Sequence, residues 1–113
     1  MISNNFQALD LIVSAIKKSG FINGRDVSIC LDVAANELYK NSKYSIFSKN
    51  YFSVEKSIKE YLRMIKKYKI KSIEDPFAEN DWVAWTKFTK SINNLQIVGD
   101  DLYVTNLERL KKG

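Results

Sequence analysis

Three carboxylates stand at the ends of three short apolar runs. Asp32 follows Val27-Ser28-Ile29-Cys30-Leu31, Glu74 follows Ile70-Lys71-Ser72-Ile73, and Asp100 follows Leu95-Gln96-Ile97-Val98-Gly99. Asp75 and Asp101 stand directly behind the last two. After Asp75 comes Pro76, which cannot donate a ladder hydrogen bond and pushes its predecessor out of helical conformation. Glu74 and Asp75 are therefore expected at the mouth of a strand, where two acids form either a solvated turn or a metal site. If the three runs are parallel strands, their carboxyl ends share one edge, with neighbouring strands about 4.8 Å apart. Carboxylates gathered there repel one another unless a cation neutralises them. All-oxygen ligation favours Mg2+, which takes about six oxygens at roughly 2.0–2.1 Å. Acids are also common in loops after strands, so the residues alone leave a solvated edge open.

What the sequence lacks narrows the chemistry further. There is no histidine, which removes Ser-His-Asp and Cys-His nucleophiles, imidazole acid–base chemistry and most zinc sites. Carboxylates, lysines, hydroxyls and a hard cation remain. The single cysteine, Cys30, cannot form an internal disulfide and is expected as a small buried hydrophobe. A formal charge of +5 raises the question of nucleic acid. The only arginines are Arg25, Arg63 and Arg109, and the lysines are scattered in pairs such as Lys17-Lys18, Lys66-Lys67 and Lys111-Lys112. Base readout favours arginine forks and a binding face concentrates its charge, so no nucleic-acid partner is expected. No apolar run approaches the roughly 18–20 residues of a membrane span, and the N-terminus lacks a signal-peptide pattern. The expectation is a cytoplasmic protein without a membrane partner.

The elements that must position the acids follow from periodicity and caps. Ser3 to Asn5 offer N-caps for a helix over Phe6–Ser19, with Leu9, Ile12, Val13 and Ile16 on one face and Gly20 as its stop. Asn23-Gly24 marks a turn before the first strand, Val27–Leu31. Ala34–Glu37 reads as a small-residue loop or single helical turn. Leu38-Tyr39 and Tyr44–Phe47 flank Lys40–Lys43 as a small hairpin. Ser53 caps a helix over Val54–Tyr68 with Ile58, Tyr61, Leu62 and Ile65 as its apolar stripe. A second strand covers Ile70–Ile73. Asn80 or Asp81 then caps a helix through Ile92 with Trp82, Trp85 and Phe88 or Thr89 inward. The third strand covers Leu95–Gly99, and Thr105 or Asn106 opens a final helix to Lys112. Helices alternating with strands predict a single α/β unit with a parallel sheet. Strand alternation puts Ser28, Cys30, Ser72, Gln96 and Val98 on the face of the acids. Ile29, Leu31, Ile73 and Ile97 fall on the other, beneath the helices. Lys71 fits neither arrangement well, unless it reaches out to solvent.

Four blocks of this sequence resemble enolase (phosphopyruvate hydratase). They are Ala8–Val13, Leu31-Asp32-Val33-Ala34-Ala35-Asn36-Glu37-Leu38-Tyr39, Ser72-Ile73-Glu74-Asp75-Pro76-Phe77-Ala78-Glu79-Asn80-Asp81-Trp82, and Val98-Gly99-Asp100-Asp101-Leu102-Tyr103-Val104-Thr105-Asn106. The resemblance covers nearly the whole chain. It implies a section of the family's C-terminal barrel, a partial (β/α)8 TIM-type barrel of about three parallel strands. It implies that Asp32, Glu74 and Asp100 are the family's Mg2+ ligands and that Glu74 and Asp100 also lie beside the substrate. The implied activity is that of a glycolytic lyase converting 2-phosphoglycerate to phosphoenolpyruvate and water. In such enzymes a lysine takes the proton, a glutamate helps the hydroxide leave, and Mg2+ stabilises the dianionic intermediate.

The departures from the family are specific. Asn36 stands where serine is usual and Leu38 where phenylalanine is usual. A complete barrel needs about 250 residues, and the 113 residues here read as one fragment of it, residues 1–113, without the family's N-terminal domain. No lysine here matches the base and no residue matches the acid glutamate, so no catalytic residue is expected in the chain and the isolated polypeptide is expected to be inactive. The full-length family is homo-oligomeric, and the open strand edges of a fragment favour self-association. Two other classes remain: a receiver-like regulatory domain, suggested by Asp100-Asp101 at a strand end, and a basic interaction module.

Overall fold

A computed structural model describes residues 5–113; the N-cap candidates Ser3 and Asn4 lie outside the described residues. Helix α1 (Asn5–Lys18) runs as the apolar spacing requires and stops at Gly20, whose φ of +83° suits a left-handed C-terminal turn. Strand β1 (Cys30–Asp32) follows, then a 3₁₀ turn (Ala35–Leu38) and the hairpin β2 (Tyr39–Lys40) and β3 (Lys43–Tyr44). Asn41 and Ser42 both take positive φ, the geometry that a two-residue hairpin turn demands. Helix α2 (Val54–Tyr68) begins at Ser53, whose hydroxyl accepts from Lys56 N–H. It is followed by β4 (Ser72–Glu74), α3 (Trp82–Ser91) and β5 (Gln96–Val98). Two short helices close the chain, α4 (Asp100–Tyr103) and α5 (Leu107–Lys112).

The three main strands form one parallel sheet in the order β1-β4-β5, with α2 and α3 as crossovers. Its register aligns Asp32 with Glu74 and Glu74 with Val98. The face opposite the acids is the packed one. Ile29 and Ile73 are buried, and Leu31 and Ile97 pack against the same core. At its centre lie rings from several elements. Phe47 and Tyr61 are 4.9 Å apart at 75°, and Phe77 meets Tyr44 at 5.1 Å and 83°. Edge-to-face pairs of this kind contribute about 0.5–1.5 kcal/mol beyond their buried area.

Several sequence expectations change in detail. The strands are each three residues long, shorter than the apolar runs, and Val27 makes only an isolated bridge to Asn23. Cys30 is exposed, not buried. It shares the parity of Asp32 on an edge strand, whose acid-side face has no covering layer at that position. Lys71 is exposed, as its charge requires. Asp100 does not end a strand but opens α4, which the sequence pattern did not reveal.

Candidate metal centre

Backbone pairing brings two of the acids together. Asp32 and Glu74 are the last residues of adjacent strands and direct partners in the ladder. The ladder runs one step further, with Val33 N–H donating to Glu74 O at 3.0 Å. Beyond Glu74 the chain turns sharply, because Asp75 takes a φ of +43°. Simple alternation would send the Asp75 side chain to the face opposite Glu74. The left-handed turn brings it back. One carboxylate oxygen each from Asp32, Glu74 and Asp75 lies within 4.8 Å of the others.

Asp100 is not among those three, and the register explains why. Glu74 is level with Val98, so Asp100 stands two residues further on, about 6–7 Å along the strand direction. It is still close enough to act on Glu74. Burial is the largest cause that pushes the Glu74 carboxyl above its ordinary range, followed by the negative charges of Asp32, Asp75, Asp100 and Asp101. Burial likewise raises Asp75, against the hydrogen bond that Asp101 N–H donates to it. Asp101 itself is drawn aside by Asn36, whose Nδ2 donates to Asp101 Oδ2 at 2.9 Å. Between β5 and α4, a Cβ on Gly99 would stand 2.8 Å from that of Leu102, so the chain can reach Asp100 by this path only with glycine there.

The segment after Glu74 and Asp75 is fastened at many points. Tyr61 Oη donates to Pro76 O at 2.8 Å and Trp85 Nε1 to Ala78 O at 3.1 Å. Tyr44 Oη donates to Asp81 Oδ2 and accepts from Ala78 N–H. Asn36 Oδ1 accepts from Glu79 N–H at 2.8 Å. The guanidinium of Arg109 donates to the carbonyls of Glu79 and Leu102 and rests over the Trp82 ring. Asp81 closes the segment as the cap of α3, accepting from Ala84 N–H. The acids are thus carried on short strands and a braced turn, which holds mutually repelling groups in place.

The donor set is all oxygen, and the side chains that crowd it are acidic. That chemistry suits a hard divalent cation, which neutralises the repulsion and accepts carboxylate ligands without any nitrogen or sulfur. Elsewhere, a cleft of about 740 Å³ between α1 and the segment around Ile46 to Tyr51 touches Asp32 alone among these acids and is lined mainly by apolar side chains. It is not where the charge is.

A family model described as the enolase C-terminal TIM barrel domain matches residues 1–113. The chain belongs to the enolase family. An enolase of Pelagibacter ubique (strain HTCC1062) is 75% identical to it over all 113 residues. The chain spans 27% of the length of that relative. The fold agrees with membership, since an open three-stranded parallel sheet with helical crossovers is one arc of an enolase barrel. The receiver-like alternative gives way to this assignment. Among the described residues no helix is long and apolar enough to cross a membrane.

The sequence set Asp75 beside Glu74 at the mouth of the strand as part of a turn or a metal site, but the resemblance implied only Asp32, Glu74 and Asp100 as ligands. The structure brings Asp75 to Asp32 and Glu74. The signal for its true direction is the turn ahead of Pro76.

Proposed function

We propose that this chain is the Mg2+-holding arc of an enolase-type active site, a lyase site for conversion of 2-phosphoglycerate to phosphoenolpyruvate and water. The observation that carries this reading is the pairing of Asp32 with Glu74 in the parallel register, with Asp100 near enough to raise the Glu74 carboxyl. In this reading Asp32, Glu74 and Asp100 hold the ion, and Glu74 and Asp100 also border the substrate. Bound Mg2+ supplies charge stabilisation for a substrate carboxylate that becomes a dianion. The chain's own part is to fix the ligand carboxylates through β1, β4 and the start of α4, and to brace the turn that follows Glu74. The family's proton-abstracting lysine and its acid glutamate have no counterpart among these 113 residues. Assembly into homo-oligomers and binding of the phosphorylated substrate belong to the same proposal, for the full-length family.

Calorimetric titration of the 113-residue polypeptide with Mg2+ tests the centre. Binding to the wild-type chain is expected to be weak, because much of the outer shell and the substrate phosphate are not supplied by these residues, and it should be lost in Asp32→Asn and Glu74→Gln. Equal heats from all three proteins would remove the site. The same polypeptide given 2-phosphoglycerate and Mg2+ is expected to yield no phosphoenolpyruvate. Product formation abolished by Asp100→Asn would overturn that expectation.

A further inference from the structure

We propose that Asn23-Gly24 is a guarded deamidation site, inert while its turn is closed and converted to aspartate or isoaspartate once that turn opens. The pair lies between α1 and β1, at the amino end of the sheet and away from the acids. Asparagine before glycine is prone to this chemistry, because glycine has no side chain to hinder attack by its own amide nitrogen. That nitrogen attacks Asn23 Cγ and closes a succinimide ring. The bond from Cγ to Nδ2 breaks, and Nδ2 leaves as ammonia with the proton that the Gly24 amide gives up. Water then reopens the ring. Cleavage at Cγ gives aspartate, and cleavage at the main-chain carbonyl gives isoaspartate.

The fold opposes each step. Gly24 N–H donates to Val27 O at 2.7 Å, so the attacking nitrogen keeps its proton. Asn23 Nδ2 donates to the carbonyl of Tyr68, the last residue of α2, at 2.8 Å and fixes the side-chain amide there. Asn23 Oδ1 is buried and finds no donor among the described residues, so the negative charge that attack places on it has nothing to stabilise it. This is the reverse of an oxyanion hole. The turn nevertheless requires both residues. Gly24 has a φ of +82°, and a Cβ there would stand 2.8 Å from Lys69 Cδ, while Asn23 supplies the donor for the α2 carbonyl. Opening removes all three restraints together, and the product cannot close the same turn. Aspartate would set an acceptor oxygen against Tyr68 O at the negative end of α2. Isoaspartate would lengthen the main chain where Asn23 bridges to Val27.

Ageing the chain at neutral pH across a urea series tests this, read by peptide mapping with fragmentation that separates aspartate from isoaspartate. Conversion at residue 23 should be about tenfold or more slower in buffer than in full denaturant, because only the open fraction reacts. Its rate should rise in step with the loss of helical circular dichroism. Asn23→Asp should melt below the wild type. Equal conversion rates in buffer and in denaturant would overturn the guard, and a residue 23 that stays asparagine in denaturant would overturn the lability. An Asn23→Asp chain as stable as the wild type would overturn the one-way step.

Discussion

Tyr44 illustrates how single polar atoms in the core hold the acids' surroundings. Its ring is fully buried between Phe77 and Tyr39, and its hydroxyl finds both its partners in the segment 76–81. It donates to Asp81 Oδ2 at 2.8 Å and accepts from Ala78 N–H at 3.2 Å. Burial pushes the phenol well above its ordinary range, with the Asp81 charge adding to the effect, so it stays a neutral donor throughout the working pH range. Tyr44→Phe keeps the ring and removes both hydrogen bonds, leaving Ala78 N–H without its acceptor in a buried place. We expect a loss of about 1–3 kcal/mol, read as a lower denaturant midpoint with an unchanged slope. An unchanged midpoint would mean that the segment is held by Tyr61, Trp85, Asn36 and Arg109 without help from Tyr44.

Among the elements, α1 is joined to α2 by a small electrostatic cluster that makes its attachment depend on pH. Asp10 accepts from Lys67 Nζ at 3.0 Å and from Tyr68 Oη at 2.9 Å. The hydrogen bond from Lys67 is the largest cause that holds the Asp10 carboxyl below its ordinary value of 3.8, and that from Tyr68 comes next. A depressed carboxyl adds stability that is present above its unfolded value and is lost as pH falls through the lower folded value. Asp10→Asn should therefore melt at a lower temperature than the wild type at pH 7, with the two curves converging as pH falls through the lowered value of the folded carboxyl. Melts that stay parallel from pH 7 to 2.5 would assign the effect to packing and not to charge. The helices were legible because caps and apolar spacing act locally: Ser53, Asp81 and Asn106 each accept the first backbone donors of a helix. The parallel sheet was legible from alternation of element types, and the pairing of Asp32 with Glu74 from their place at strand ends. The opening of α4 at Asp100 was not, and neither were two further features. The extent of each strand depends on partners remote in sequence, so Val27 and Cys30 read as buried in the chain and are exposed in the fold. The direction of Asp75 depends on one backbone dihedral, its φ of +43°, and period-two reasoning fails at that turn.

At the scale of the molecule, the sheet is open on both sides. β1 and β5 are its outer strands and each pairs on one side only. The chain is also less compact than its length allows: its radius of gyration is 14.8 Å, against about 13 Å for a compact domain of this size. Large apolar side chains stand exposed on several helices, among them Leu11, Val83, Leu107 and Leu110. In a closed barrel, strand edges and helix flanks such as these are covered by neighbouring units. A polypeptide of these 113 residues alone has unpaired backbone donors and acceptors beside apolar surface, which is the condition for edge-to-edge association. Its weight-average mass in sedimentation equilibrium should therefore rise with concentration, and its thermal transition should be broad, since three short strands do not make a strongly cooperative unit. If Asp32, Glu74 and Asp100 hold Mg2+ as proposed, the ion acts on the same balance, because a ligand that binds only the folded arrangement stabilises it by mass action. The transition should sharpen and move upward when Mg2+ is added, and Asp32→Asn should remove that shift while leaving the association untouched. A monomer at every concentration with a sharp transition that ignores Mg2+ would mean that the arc is self-sufficient and that its acids form an ordinary solvated edge.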